Sequence, residues 1–161
     1  EWKPISTERL ARVHSPTYCA QVRAFAESGG GYIEIDTVVS PDSYTVALKA
    51  AGSVCDAAGR VLRGEERNAF CMVRPPGHHA ESDRPMGFCL FGNAAIAAKR
   101  ALDLHGLARV AVVDFDPRCC DAAAGQRRRN AAWLRRRCQG RARGPSKPTV
   151  PVSAECWPGP A

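Results

Sequence analysis

Two groups of polar residues in this 161-residue chain combine side chains that can carry out acid–base and metal chemistry. His78 and His79 follow Pro-Pro-Gly, so two imidazoles can enter one cleft from a stiffened turn. Histidine titrates near neutral pH, and a neighbouring carboxylate can hold one ring as a cation while the other transfers protons. Asp114 and Asp116 are two residues apart in a strand-like stretch, so their side chains leave on the same face. One aspartate can orient a histidine, and the other can bind a metal ion.

Each group also has a simpler interpretation when it is taken alone. A His-His pair in a loop is often only part of the surface, and Asp-x-Asp at the end of a strand often only caps a turn or a helix. Phe88 and Phe91 would ordinarily be core residues, although Phe88, directly after Gly87, can equally line a narrow apolar tunnel. Catalysis therefore requires that the histidines and the aspartates lie at neighbouring strand ends.

The distribution of apolar residues predicts the elements that would place them there. Residues 69–73 and 108–116 are continuous apolar runs, which are typical of strands covered on both faces. An alanine-rich helix is predicted between them, from Asn93 to His105. Strand, loop, helix, strand is the order of a right-handed βαβ unit, and ligands of open α/β sheets bind at the carboxyl ends of such strands.

The first half of the chain is predicted to be mainly helical. Apolar residues recur at helical spacing over residues 7–26, and Ser15-Pro16 divides this segment into two short helices. A longer amphipathic helix begins at Asp42 or Ser43 and stops at Gly64. Residues 33–39 read as a further strand.

Charge divides the chain after Asp116. Residues 1–116 carry 13 Lys and Arg against 14 Asp and Glu, a net charge of −1, whereas residues 117–161 carry 10 against 2, a net charge of +8. The second segment is rich in Arg, Pro and Gly and has no apolar periodicity, so we expect a disordered basic tail there and a partial α/β domain at 1–116. Its arginine clusters, at 127–129 and 135–137, are either an incidental solvated charge run or a nucleic-acid contact.

The eight cysteines make no CxxC pair, so buried free thiols are expected rather than a structural zinc site. The chain shows no apolar run of about 18 residues and no secretory leader, so we expect neither membrane spanning nor secretion. A reducing, cytoplasmic location fits these features.

Residues 73–98, VRPPGHHAESDRPMGFCLFGNAAIAA, and 110–116, VAVVDFD, resemble the histone deacetylase family, in particular its class II and bacterial amidohydrolase-like members. RVHSPTYCAQV at 12–22 resembles the early helix motif of the same family. The resemblance implies the arginase/deacetylase-like fold, an open parallel sheet with flanking helices, here incomplete. It also implies a catalytic zinc at the carboxyl ends of the strands and hydrolysis of acetyl-lysine or another acetylated amine.

The resemblance also implies roles for individual residues. His79 would transfer protons with the zinc-bound water, and His78 would be held charged by Asp114. Asp116 would be the first zinc-binding aspartate.

Further along the motif, Gly87 and Phe88 would form the wall of the channel that admits the acyl-lysine side chain. Asn93 matches an asparagine of the motif.

The family pattern breaks off directly after Asp116. Family members continue Asp-x-Asp-x-His-His-Gly, with the first histidine a zinc ligand, whereas this chain has Arg118 at that position, followed by Cys119 and Cys120. A guanidinium stays protonated and offers no lone pair to zinc. A thiolate from Cys119 or Cys120 could replace one ligand, but not the second zinc aspartate and the tyrosine that family members carry further along. We therefore expect a truncated or frameshifted member that neither retains zinc nor hydrolyses its substrate; the alternative is a non-catalytic α/β domain whose basic tail binds nucleic acid.

Overall fold

The computed structural model describes residues 2–114 and 116, which fall into two compact units that meet in sequence between Val112 and Val113. All regular elements of the described residues belong to the first unit. In chain order they are α1 (Thr7–Leu10), α2 (Pro16–Glu27), β1 (Gly31–Glu34), β2 (Thr37–Val39), α3 (Ser43–Leu62) and α4 (Asn93–Leu104).

The helices form where the periodicity of the sequence predicts them. Ser6 caps α1 by accepting a hydrogen bond from the backbone N–H of Arg9, and Pro16 begins α2 at the position where its missing N–H costs nothing. Helix α3 extends from Ser43 to Leu62 and is followed by Gly64 in a left-handed conformation. The predicted break at Ser15-Pro16 and the predicted stop at Gly64 are both confirmed. None of the described helices is long and apolar enough to cross a membrane.

The core of the first unit is built around Phe91, whose side chain is only 1% exposed. Its ring meets Tyr18 and Tyr44 edge to face, with centroids 6.0 and 5.9 Å apart. The hydroxyl of Tyr18 donates to the carbonyl oxygen of Leu90 at 2.6 Å. The segment just before α4 is therefore anchored against α2 and α3.

Three cysteines of the first unit are buried free thiols, as the sequence predicts: Cys19, Cys55 and Cys89. Burial raises the pKa of each of these thiols. Cys71 is only partly buried.

The two predicted parallel strands are not formed in the described residues. Residues 69–73 and 108–114 have no regular secondary structure, and Phe70 in the first of them is 89% exposed. The stretch 33–39, predicted as one strand, instead forms parts of two short antiparallel strands, with Gly31 opposite Val39. A strand is held by hydrogen bonds to a neighbouring strand, and the only sheet in the described part of the chain is this β1–β2 pair. Apolar composition makes a segment compatible with a strand but does not supply its partner.

Candidate active site

The loop that carries the tandem histidines is fixed to the beginning of α4. A Cβ atom added to Gly77 would lie 2.5 Å from the backbone nitrogen of Asn93 and 2.7 Å from the carbonyl oxygen of Phe91, so only glycine fits at this position. The side-chain amide of Asn93 donates to the carbonyl oxygen of Pro75 at 3.2 Å. Both contacts hold the Pro-Pro-Gly turn in place immediately before the histidines.

His78 and His79 lie side by side, with ring centroids 4.0 Å apart and planes inclined by 48°. His78 is exposed and His79 is partly buried. The structure thus presents two adjacent imidazoles at one surface, which is the arrangement that their tandem placement predicts.

A tight turn at Gly87 and Phe88 packs against this pair. A Cβ atom added to Gly87 would overlap the imidazole of His79, so the turn backbone lies directly on that ring. Phe88 is 62% exposed, in contrast to buried Phe91. The structure therefore separates the two phenylalanines that the sequence left undecided: Phe91 belongs to the core, and Phe88 projects beside the histidines.

Sequence reasoning missed a third histidine, His14, which is buried in the first unit. Its Nε2 accepts a hydrogen bond from the backbone N–H of Gly92 at 2.9 Å, directly before α4. Burial lowers the pKa of His14, although backbone hydrogen bonds at Glu81 and Ser82 act in the opposite direction. The neutral ring therefore supports the segment that holds the histidine loop. The stretch RVHSPTYCAQV, which resembles the early helix motif of the family, contains His14 and was the signal by which the sequence could have indicated it.

Because the folded state disfavours the charged form of His14, we expect the free energy of unfolding to fall as the pH drops below the ordinary histidine pKa. The unfolded chain takes up a proton there before the folded chain does, so this residue contributes a loss of at most about 1.4 kcal/mol per pH unit. Urea unfolding at about pH 7.5 and 5.5, on either side of that pKa, measures the effect.

A glutamine variant isolates the contribution of His14. His14→Gln removes the buried titrating group and should reduce the pH dependence of the free energy of unfolding. An equal pH dependence in the unsubstituted chain and in His14→Gln would contradict the expectation.

Asp114 and Asp116 belong to the second unit, which begins at Val113. Oδ1 of Asp114 accepts a hydrogen bond from the backbone N–H of Asp116 at 3.0 Å, so this carboxylate organises a local turn. A local hydrogen bond of this kind is compatible with both interpretations of Asp-x-Asp. The proposed partnership of Asp114 with a histidine and the metal-binding role of Asp116 stay predictions.

The residues at which the family pattern breaks off, Arg118, Cys119 and Cys120, lie outside the described residues. The same is true of the segment 117–161, so its predicted disorder and its alternative role in binding nucleic acid stay predictions.

Comparisons with known proteins find similarity to histone deacetylases and related deacetylases. The family model described as the histone deacetylase domain matches residues 1–129. A histone deacetylase-like amidohydrolase of Pseudomonas aeruginosa is 44% identical over 113 residues, which cover 70% of this chain and 30% of that protein. Polyamine deacetylase HDAC10 of Homo sapiens is 39% identical over 117 residues, which cover 69% of this chain and 18% of that protein.

Among solved structures, the crystal structure of the HDA15 HD domain superimposes with a TM-score of 0.59 at 37% identity. The similarity covers 61% of this chain and 28% of that chain. The chain spans about a third or less of the length of these relatives.

Proposed function

Because this chain belongs to the histone deacetylase domain family, we propose that it carries the histidine-bearing part of a site that hydrolyses N-acetyl amides, and that the chain as it stands does not complete this reaction. Its fold is of the deacetylase type, present in part: helices and a small sheet make up the described residues. The substrate class would be an acetylated amine, such as acetyl-lysine.

The observation that carries the proposal is the pair of adjacent imidazoles of His78 and His79, packed beside the turn that bears Phe88. In amide hydrolysis, one group must accept a proton from the attacking water and a protonated group must deliver one to the departing amine. In this proposal, partly buried His79, whose ring lies against Gly87, would carry out the proton transfer. Exposed Phe88 offers an apolar wall for the methylene chain of an acyl-lysine.

Zinc, where a family member binds it, would polarise the acetyl carbonyl and activate the attacking water. Catalytic zinc sites have three protein ligands and an open position, and Asp116 would be one of those ligands. The donor set that follows does not fit a site of the family type, since Arg118 has no lone pair to offer. We therefore propose that this chain does not retain zinc.

We expect the purified 161-residue chain to hold far less than one zinc ion per chain and to release no amine from an N-acetyl-lysine amide reporter. Elemental analysis after dialysis and a fluorogenic deacetylation assay measure the two quantities. The amidohydrolase of Pseudomonas aeruginosa, handled in parallel, serves as the reference. Stoichiometric zinc together with turnover that His79→Ala abolishes would overturn the proposed inactivity.

A matched pair of variants tests whether Arg118 is the reason that zinc is not retained. Arg118→His restores a ligating nitrogen beside Asp116, whereas Arg118→Gln removes the positive charge without adding an imidazole. Zinc affinity should rise in the first variant more than in the second. Equal affinities would show that the arginine is not what prevents metal binding.

A further inference from the structure

The turn beside the histidines has an unusual backbone. Met86 and Cys89 exchange backbone hydrogen bonds of 3.1 and 2.9 Å, which leaves Gly87 and Phe88 as the two central residues of a tight turn. Their φ values are +57° and +64°, as in a type I′ turn. Among the described residues, Phe88 is the one non-glycine residue with a positive φ. A bulky side chain in this conformation is strained and persists only where its surroundings hold it.

The support comes from Asp36 and Thr37, which are 51 residues away in the sequence. The backbone N–H of Phe88 donates to Oγ1 of Thr37 at 3.1 Å, and the backbone N–H of Gly87 donates to Oδ1 of Asp36 at 3.2 Å. The hydroxyl of Thr37 in turn donates to the same Asp36 oxygen at 2.8 Å. A two-residue turn uses neither of these N–H groups internally, so the two side chains satisfy both donors.

These hydrogen bonds strengthen one another, and a buried residue of the hairpin anchors them. The Thr37 hydroxyl donates to a carboxylate and accepts from an amide, so each bond polarises the next. Thr37 is buried at the start of β2, while Asp36 is exposed in the connection between β1 and β2. The hairpin therefore holds the strained turn by its two central N–H groups.

We infer that Asp36 and Thr37 form a positioning pair that fixes Phe88 as the apolar wall for an acyl chain and presses the Gly87 backbone against His79. The substrate part of this inference rests on the proposed function. Both residues act through the turn, to which their hydrogen bonds run. Their effect should be local to Gly87, Phe88 and His79.

Isosteric and conservative variants of the full chain provide the test. Thr37→Val keeps the shape but removes the hydroxyl, and Thr37→Ser keeps the hydroxyl. Amide hydrogen exchange, followed residue by residue by NMR, should be about tenfold faster at Phe88 in Thr37→Val and close to that of the unsubstituted chain in Thr37→Ser. The imidazole resonances of His79 should move in Thr37→Val, while those of His105 stay in place.

Asp36→Ala provides a second variant at an exposed position, where a general loss of folding is not expected. In this variant the rate of amide hydrogen exchange should rise at Gly87, while the amides of α3 should exchange as slowly as in the unsubstituted chain. The positioning pair would be overturned if exchange at Gly87 and Phe88 rose only as much as exchange in α3, or if Thr37→Ser behaved like Thr37→Val.

Titration with an N-acetyl-lysine amide separates this inference from the proposed function. Ring resonances of Phe88 should shift in the unsubstituted chain and in Thr37→Ser, and should shift less in Thr37→Val. No shift in any of the three proteins would count against the proposed function and leave the exchange results to decide the positioning pair.

Discussion

Replacing Phe91 by alanine is expected to lower the free energy of unfolding by about 3–5 kcal/mol, the range for removing a buried aromatic side chain. The ring is 1% exposed and contacts the rings of Tyr18, Tyr44 and His14. Removal of the ring therefore leaves a cavity between these three rings. The neighbouring rings are held by other contacts, so they fill the cavity only in part. Urea unfolding at neutral pH measures the loss.

Phe70→Ala is the matched control, because it removes the same side chain from a position that is 89% exposed. We expect a change of less than about 0.5 kcal/mol, as for most surface substitutions. A similar loss for both variants would show that the core does not lie between α2, α3 and the segment before α4. The loop of the tandem histidines would then lack the support described for it.

Replacing Gly87 by alanine is expected to cost about 2–4 kcal/mol and to displace the imidazole of His79. Two effects add at this position. Alanine at a φ of +57° is strained, and its Cβ atom would overlap the His79 ring. The measurements are urea unfolding and the chemical shifts of the His79 ring.

Gly64→Ala isolates the first of these two effects. Gly64 has a φ of +76°, and an added Cβ atom there would meet nothing within 4 Å. We expect only the strain of the left-handed conformation, about 1–2 kcal/mol, and unchanged His79 resonances. If both variants cost the same and the imidazole signals of Gly87→Ala stayed in place, the close packing of the turn on His79 would be wrong.

Much of the candidate site follows from short stretches of sequence. The backbones of adjacent histidines after Pro-Pro-Gly are held close together by covalent geometry, and the structure adds that the two rings lie on the same side. The amphipathic spacing of α3 and the stop at Gly64 are equally local. Such features depend on residues within a few positions of one another.

The family resemblance also depended on contiguous motifs. VRPPGHHAESDRPMGFCLFGNAAIAA is long enough to identify the deacetylase domain without any structure, and the family model and the relatives confirm that identification. The roles of single residues, unlike the family, do not follow from a contiguous motif. Those of Asp114 and Asp116 depend on what surrounds them, and the structure shows for this pair a local hydrogen bond.

Three features of this protein were decided by tertiary structure. The apolar run at 69–73 predicted a strand that does not form in the described residues, because pairing depends on a neighbour that composition does not specify. Phe88 and Phe91 have the same side chain three positions apart, yet only packing puts one in the core and the other on the surface. Asp36 and Thr37 meet the turn across 51 residues, and no local pattern encodes such a contact.

The sequence by itself determined the helices, the tandem histidines and the family, because each of these depends on residues that are close together in the sequence. The tertiary structure decided which strands pair, which aromatic ring is exposed and which polar side chains support the strained turn. These contacts join distant parts of the chain, so they form only when the whole unit buries its apolar surface and satisfies its hydrogen bonds together.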